Sequence, residues 1–289
     1  MNNHYGKILK KKISEKRAFL VPGAPNALGA RIIADLGFEA VYLTGAGVTN
    51  MFLGLPDLGF IGLSELVQHT AIIRDTVDLP LIVDGETGFG NALNTRHAVR
   101  ALERAGANAI QIEDQVMPKR CGHFAGKEIV PTGEMISKIK SAVDSRSDEN
   151  FLIIARTDAR AVEGFEAAID KASKFIEAGA DMTFVEAPRT LEEIKRIANA
   201  LSVPQVINLV VGGVTPIVGA EELKAAGFGF ALYANVALQG AIVGMQTALR
   251  ELKTTGFVDE KSITVASFSE RQRLVQKEFY DDLERKYAF

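Results

Sequence analysis

The chain has 289 residues, 47% hydrophobic and 24% charged, a balance that supports a sizeable core and excludes a disordered or fibrous chain. Lysine and arginine number 33 against 36 aspartates and glutamates, a formal net charge of −3 that argues against a nucleic-acid binder relying on phosphate neutralisation. The one cysteine, Cys121, excludes an intrachain disulfide and a zinc site built from thiolates.

Residues 1–17 (MNNHYGKILKKKISEKR) are basic but lack the apolar stretch of a signal peptide, and no apolar run approaches the ~18 residues that span a bilayer. They predict an amphipathic first helix of a cytoplasmic protein with no membrane partner. Eight apolar runs of strand length then recur: FLVPG (19–23), AVYLT (40–44), PLIVD (80–84), AIQIE (109–113), FLIIA (151–155), TFVEA (183–187), QVINL (205–209) and FALYA (230–234). Gly37, Gly106, Gly179 and Gly227 precede four of them, where a helix end takes a left-handed residue. Amphipathic stretches such as SELVQHTAIIRDTV (64–77) and FEAAIDKASKFIEAG (165–179) separate the strands, and Ser64, Asn94 and Thr132 read as N-caps. This alternation predicts a parallel sheet. Eight units without a nucleotide fingerprint favour a closed (α/β)8 barrel of TIM type over an open doubly wound sheet. The chain reads as a single domain, 1–289, with the barrel over about 15–256 and a C-terminal helical extension over 257–289. The extension predicts one charged helix, whose Phe, Leu, Val and Tyr stripe needs a surface on its own barrel or on a second subunit.

In such barrels the C-terminal ends of the strands build the site. Here they carry Tyr42, Thr44 and Gly45; Asp84 and Glu86; Glu113 and Asp114; Arg156 and Asp158; Glu186; and Asn208. Carboxylates crowded on adjacent strands repel one another unless a cation lies among them, so Asp84, Glu86 and Glu113 predict a divalent ion. Oxygen ligands without a histidine cluster favour Mg2+ or Mn2+ over Zn2+; the alternative is a set of ion pairs with Arg156. GETGFGN (85–91) lacks the ending of a P-loop and reads as a tight loop that brings the backbone close to a substrate. PKRCGHFAGKEIV (118–130) has neither helical nor strand period and surrounds Cys121 with Lys119, Arg120, Gly122 and His123. It reads as a mobile loop that closes over an anionic substrate and delivers a proton or a thiolate. Neighbouring cations favour the thiolate, whereas a proton donor must be a thiol. TNMFLGLPDLGFIGLSE (49–65), with Asp57, reads as a second lid or a subunit contact; His4, His69 and His97 fall in helical segments and read as surface residues.

On KRCGH (119–123), GLPDLG (54–59), EDQ (113–115), ARTDA (155–159) and VEAP (185–188), the chain resembles the isocitrate lyase and phosphoenolpyruvate mutase superfamily. Within it the match is to the short lyases acting on 2-methylisocitrate or 2,3-dimethylmalate, and it runs from about residue 15 to the C-terminal helix; mutase and hydrolase relatives typically lack the loop cysteine. The resemblance implies an (α/β)8 barrel, a Mg2+ cofactor, a homotetramer and a final helix exchanged between subunits. It implies a metal site from Asp84, Glu86 and Glu113, partly through water. Thr44, Gly45, Ala46, Arg156 and Asn208 would hold the keto or hydroxy acid, with Arg120 and Gly122 contributing from the loop. Glu186 would orient loop or substrate, Lys119 and His123 would assist Cys121, and Asp57 would sit in the gating segment.

Two departures bear on the expectation. The metal motif is usually Asp-x-Asp, whereas this chain has Asp84-Gly85-Glu86, which weakens direct coordination by Glu86. Asn208 is followed by Leu209-Val210-Val211-Gly212-Gly213 in place of the usual Thr-Glu-Phe-Gly, an apolar stretch that suits a C4 to C6 dicarboxylate better than a tricarboxylate. The expected reaction is retro-aldol (Claisen-type) cleavage of a 2-hydroxy dicarboxylate to pyruvate, with Tyr42 as base and Cys121 as acid. The alternatives are an oxaloacetate decarboxylase, a phosphonopyruvate-type mutase, and a degenerate barrel that only binds.

Overall fold

A computed structural model describes residues 3–288. Eight parallel strands close in chain order into a barrel: β1 (Phe19–Ala24), β2 (Val41–Leu43), β3 (Leu81–Asp84), β4 (Ala109–Glu113), β5 (Leu152–Thr157), β6 (Met182–Val185), β7 (Gln205–Asn208) and β8 (Phe230–Tyr233). The ring closes where β8 pairs with β1, Phe19 opposite Phe230 and Leu20 opposite Ala231. All eight expected strands are present.

The helices are α1 (Asn3–Ser14), α2 (Ala27–Asp35), α3 (Gly45–Val48), α4 (Leu63–Thr76), α5 (Ala92–Arg104), α6 (Thr132–Ser145), α7 (Ala159–Val162), α8 (Phe165–Glu177), α9 (Leu191–Ala200), α10 (Ala220–Ala226), α11 (Val236–Thr255), α12 (Phe268–Leu274) and α13 (Lys277–Tyr287). Gly37, Gly106, Gly179 and Gly227 are all left-handed, with φ between 79° and 104°, as a helix-to-strand turn requires. The expected caps are displaced. Gly62 caps α4, with Glu65 accepting from its N–H; Asn91 caps α5, with Asn94 reaching back to it; and Pro131 precedes α6.

Strand alternation explains where the site lies. Inward positions run Ile82 then Asp84, Ala109 then Gln111 and Glu113, Ile154 then Arg156, Phe184 then Glu186, and Val206 then Asn208. The lower member of each set is apolar and buried, and the upper one is polar. The barrel is therefore filled below and chemical above. Leu9 and Ile13 of α1 plug the lower end against Phe19, Leu152 and Phe230. The outward positions, such as Val83, Ile110 and Ile153, pack under the helices. No described helix is long and apolar enough to cross a membrane.

The C-terminal extension differs from the single helix expected. It breaks at Gln276, which is left-handed (φ 56°), into α12 and α13. Neither half has a buried residue; Phe268, Phe279 and Tyr280 are more than half exposed. Arg273 pairs with Asp35 of α2 at 2.7 Å, the polar tether of α12 to the barrel.

Candidate active site

A small cavity sits over the upper end of the barrel. It is lined by Tyr42, Thr44, Ala46, Asp57, Asp84, Lys119, Cys121, Gly122, His123, Arg156, Phe184, Glu186, Asn208, Val210, Leu232, Ala234 and Asn235. Twelve of these are residues singled out above, and they lie on or just after β2, β3, β5, β6 and β7 and in both loops. Three expected residues lie just behind the lining. The Gly45 N–H points at Asp84 Oδ2 (3.3 Å), Glu86 faces Lys119, and Glu113 faces Arg156. A Cβ at Gly45 would fall 2.2 Å from Glu86 Oε1, so any side chain here would displace that carboxylate.

The loop between β4 and α6 is a closed flap. Gln115 bridges Ile129, and the backbone bonds Val116 N to Glu128 O (2.9 Å) and Val130 N to Asp114 O (2.8 Å) make a short stalk. Gln115 also clamps the flap's backbone, accepting from Arg120 N (2.9 Å) and donating to Arg120 O (2.8 Å). Arg120 is placed apart from the other expected residues: its backbone is held, but its side chain is exposed and does not line the cavity. Four further contacts seat the flap. Lys119 Nζ lies 2.5 Å from Asp57 Oδ1 and 2.9 Å from Glu86 Oε2, His123 Nε2 lies 3.1 Å from Glu186 Oε1, and Lys127 Nζ lies 2.6 Å from Asp158 Oδ1. Gly122 packs so closely that a Cβ would meet Arg156 Nη2 at 2.5 Å and Glu186 Cδ at 2.6 Å.

The cations around Cys121 are already paired. Lys119 is held by Asp57 and Glu86, while Arg156 contacts Asp158 (3.0 Å), Glu113 (3.1 Å) and Glu186 (3.5 Å). Burial raises the Cys121 thiol above its ordinary value, a backbone bond from His123 opposes this, and Asp57 and Glu186 add to it. The conflict between thiolate and proton donor therefore resolves toward the thiol.

The carboxylates fall into two sets. Burial alone would raise Asp158 and Glu186, but Arg156, with Lys127 for the first and His123 for the second, holds both below the ordinary value. Burial pushes Glu86 up to about 8 and Asp114 up to about 6, and it raises Glu113 well above its usual range despite Arg156. Glu113 Oε1 is buried with no hydrogen-bond partner. Among the described residues no three His, Cys, Asp or Glu side chains converge at metal-ligand spacing. Asp84, Glu86 and Glu113 therefore do not form a ready chelate.

Tyr42 is placed differently from a base. Gln111 Nε2 points at Asp84 Oδ1 (3.3 Å), which leaves its Oε1 to accept from the Tyr42 hydroxyl at 2.8 Å. Burial, then Asp84, pushes that phenol well above its ordinary value. The side chain thus holds its proton as a donor to Gln111 here, a different placement from the base that was expected. Sequence reasoning also missed Gln111, Gln115, Lys127 and Asn235. A glutamine at an inward position of AIQIE, below the strand's terminal Glu113, was the available signal for Gln111.

The family model for phosphoenolpyruvate phosphomutase matches residues 9–253. Among curated proteins, the chain is 41% identical over 283 residues to the 2,3-dimethylmalate lyase of Eubacterium barkeri, covering 97% of each. It is 43% identical over 251 residues to a 2-methylisocitrate lyase of Aeropyrum pernix, covering 87% of this chain and 80% of that one. Among solved structures, oxaloacetate acetylhydrolase in complex with 3,3-difluorooxalacetate superposes with a TM-score of 0.92 at 30% identity, covering 99% of both chains. Phosphonopyruvate hydrolase in complex with oxalate and Mg2+ superposes with a TM-score of 0.89 at 28% identity, again covering 99% of both.

Proposed function

Because this chain belongs to the phosphoenolpyruvate mutase and isocitrate lyase superfamily, we propose that it is a Mg2+-dependent carbon–carbon lyase. Its substrate is a 2-hydroxy dicarboxylate of the 2-alkylmalate type, such as 2,3-dimethylmalate, and its products are pyruvate and a second carboxylate. The observation that carries the reading is the Cys121 thiol, kept protonated and delivered by a closed flap to a cavity that also presents Arg156 and Asn208. Relatives acting on 2,3-dimethylmalate and 2-methylisocitrate support it.

The donor set suits a hydrated Mg2+ or Mn2+. Asp84 faces the cavity, while Glu86 and the unpartnered Glu113 Oε1 stand behind it, at positions that suit contact through water rather than direct chelation. Such an ion, when bound, would supply Lewis-acid polarisation at the hydroxy-acid end of the substrate. Arg156, with Thr44, Ala46 and Asn208, holds the hydroxy-acid end. The hydroxyl proton passes to the carboxylate layer, while Tyr42 holds Gln111 and through it Asp84. The C2–C3 bond breaks, its electron pair goes to C3, and Cys121 donates its proton there to release the second carboxylate. Glu186 and His123 orient the flap. Val210 lines the wall where a third carboxylate would need a cation, which favours the smaller dicarboxylate over 2-methylisocitrate.

Exposed apolar residues on α12 and α13 support a homotetramer with exchanged C-terminal helices. The activity is tested by offering malate, citramalate, 2,3-dimethylmalate, 2-methylisocitrate and oxaloacetate and measuring pyruvate. Release from an alkylmalate supports the reading; release from oxaloacetate alone moves the chain to the decarboxylases.

A further inference from the structure

We propose that the turn after β7 is the docking receptor of the flap, and that Gly213 and the Val214 N–H are positioning residues that seat Cys121 through His123. The role of Cys121 rests on the lyase reading above; the docking itself does not.

Val214 N donates to His123 Nδ1 at 3.1 Å. In the neutral imidazole the hydrogen then resides on Nε2, the nitrogen that faces Glu186 Oε1 at 3.1 Å. One backbone amide thus selects the ring's tautomer and directs its other face. His123 lies inside a tight turn closed by Phe124 N to Cys121 O (2.8 Å), so fixing the ring fixes the cysteine two residues earlier. The receptor turn is itself braced by local bonds. Gly213 N bonds Val210 O (2.9 Å), Gly212 is left-handed (φ 81°), and Gln239 of α11 donates to Val211 O (3.2 Å).

Gly213 is outside the left-handed region, so its backbone admits an alanine. The imidazole does not. A Cβ would stand 2.6 Å from His123 Nδ1 and 2.8 Å from Cε1, with Val210 Cβ at 3.1 Å. The absent side chain at Gly213 therefore makes the socket into which the ring fits.

Cys121 is the only cysteine, so its alkylation by iodoacetamide in the full-length, substrate-free enzyme reports flap opening directly. Gly213→Ala should label about tenfold faster than wild type, and His123→Ala should do the same from the flap side. On the His123→Ala background, Gly213→Ala should add less than about twofold, because the ring it displaces is gone. Steady-state cleavage should lose kcat in Gly213→Ala while the affinity for oxalate, used as the keto-acid probe, stays near wild type. Labelling of either single variant at the wild-type rate overturns the proposal, as does a double variant in which the two effects multiply. Faster labelling in an enzyme that cleaves no alkylmalate leaves the docking intact and rejects the lyase reading instead.

Discussion

At Cys121, burial rather than the flanking cations decides the protonation state, because Lys119 and Arg156 are already paired with carboxylates. Replacing the thiol by the much less acidic hydroxyl in Cys121→Ser should lower kcat for alkylmalate cleavage by about 10²–10⁴-fold, the usual share of a general acid. Oxalate affinity and the melting curve should stay near wild type; a near-normal kcat would return Cys121 to the status of an inert residue. The pH dependence has a definite sign. A thiol raised above its ordinary value of about 8.5 is protonated at neutrality, so kcat/KM should fall as pH rises through the raised value. A pH profile in which activity instead rises along that alkaline limb means that the thiolate is the active form. Cys121 was legible from its neighbours in sequence. The donor character of Tyr42 was not, because it depends on which way Gln111 turns, and that is set by Asp84 on a third strand.

The flap and the C-terminal helices show what sequence periodicity can and cannot specify at the level of an element. The eight strands were readable as apolar runs of strand length, four of them following a left-handed glycine that the helix-to-strand turn requires. Cap positions slipped by one to three residues, since Glu65 and Asn94 bond back to the backbone of the true caps and several polar residues compete for each helix start. The break at Gln276 was hidden because the amphipathic pattern continues across it while the backbone turns left-handed. Lys127, 31 residues from Asp158, closes the flap's base through a partner that only the barrel brings near. Gly122→Ala tests the flap's closure: the added methyl meets Arg156 and Glu186 and should cost about 10²-fold in kcat, as an ångström-scale misplacement does. A variant with wild-type kcat would show that the flap need not close so tightly. Removal of residues from 268 onward tests the exposed apolar face of α12 and α13. The mass measured by light scattering should fall, and an unchanged oligomer would deny these helices a role in assembly.

Across the whole molecule, the barrel concentrates buried negative charge at its upper end. Asp57, Asp84, Glu86, Glu113, Asp114, Asp158 and Glu186 stand there against Lys119, Lys127 and Arg156. The ion pairs absorb part of that excess, and the unpartnered Glu113 Oε1 marks where a cation would absorb more. Activity should therefore disappear on extensive chelation and return with Mg2+ or Mn2+; full turnover in metal-analysed, chelated enzyme would remove the divalent ion from the account. The sequence conveyed this crowding because strand ends are recognisable, but not the partition of the carboxylates between cations and cavity, which depends on side-chain direction. The most direct test of the lyase is the stoichiometry of products from 2,3-dimethylmalate in the presence of Mg2+. Pyruvate and propionate should appear in equal amounts as the substrate disappears, and neither should form in the Cys121→Ser enzyme at a comparable rate. No pyruvate from any alkylmalate, with oxaloacetate consumed instead, would contradict the account.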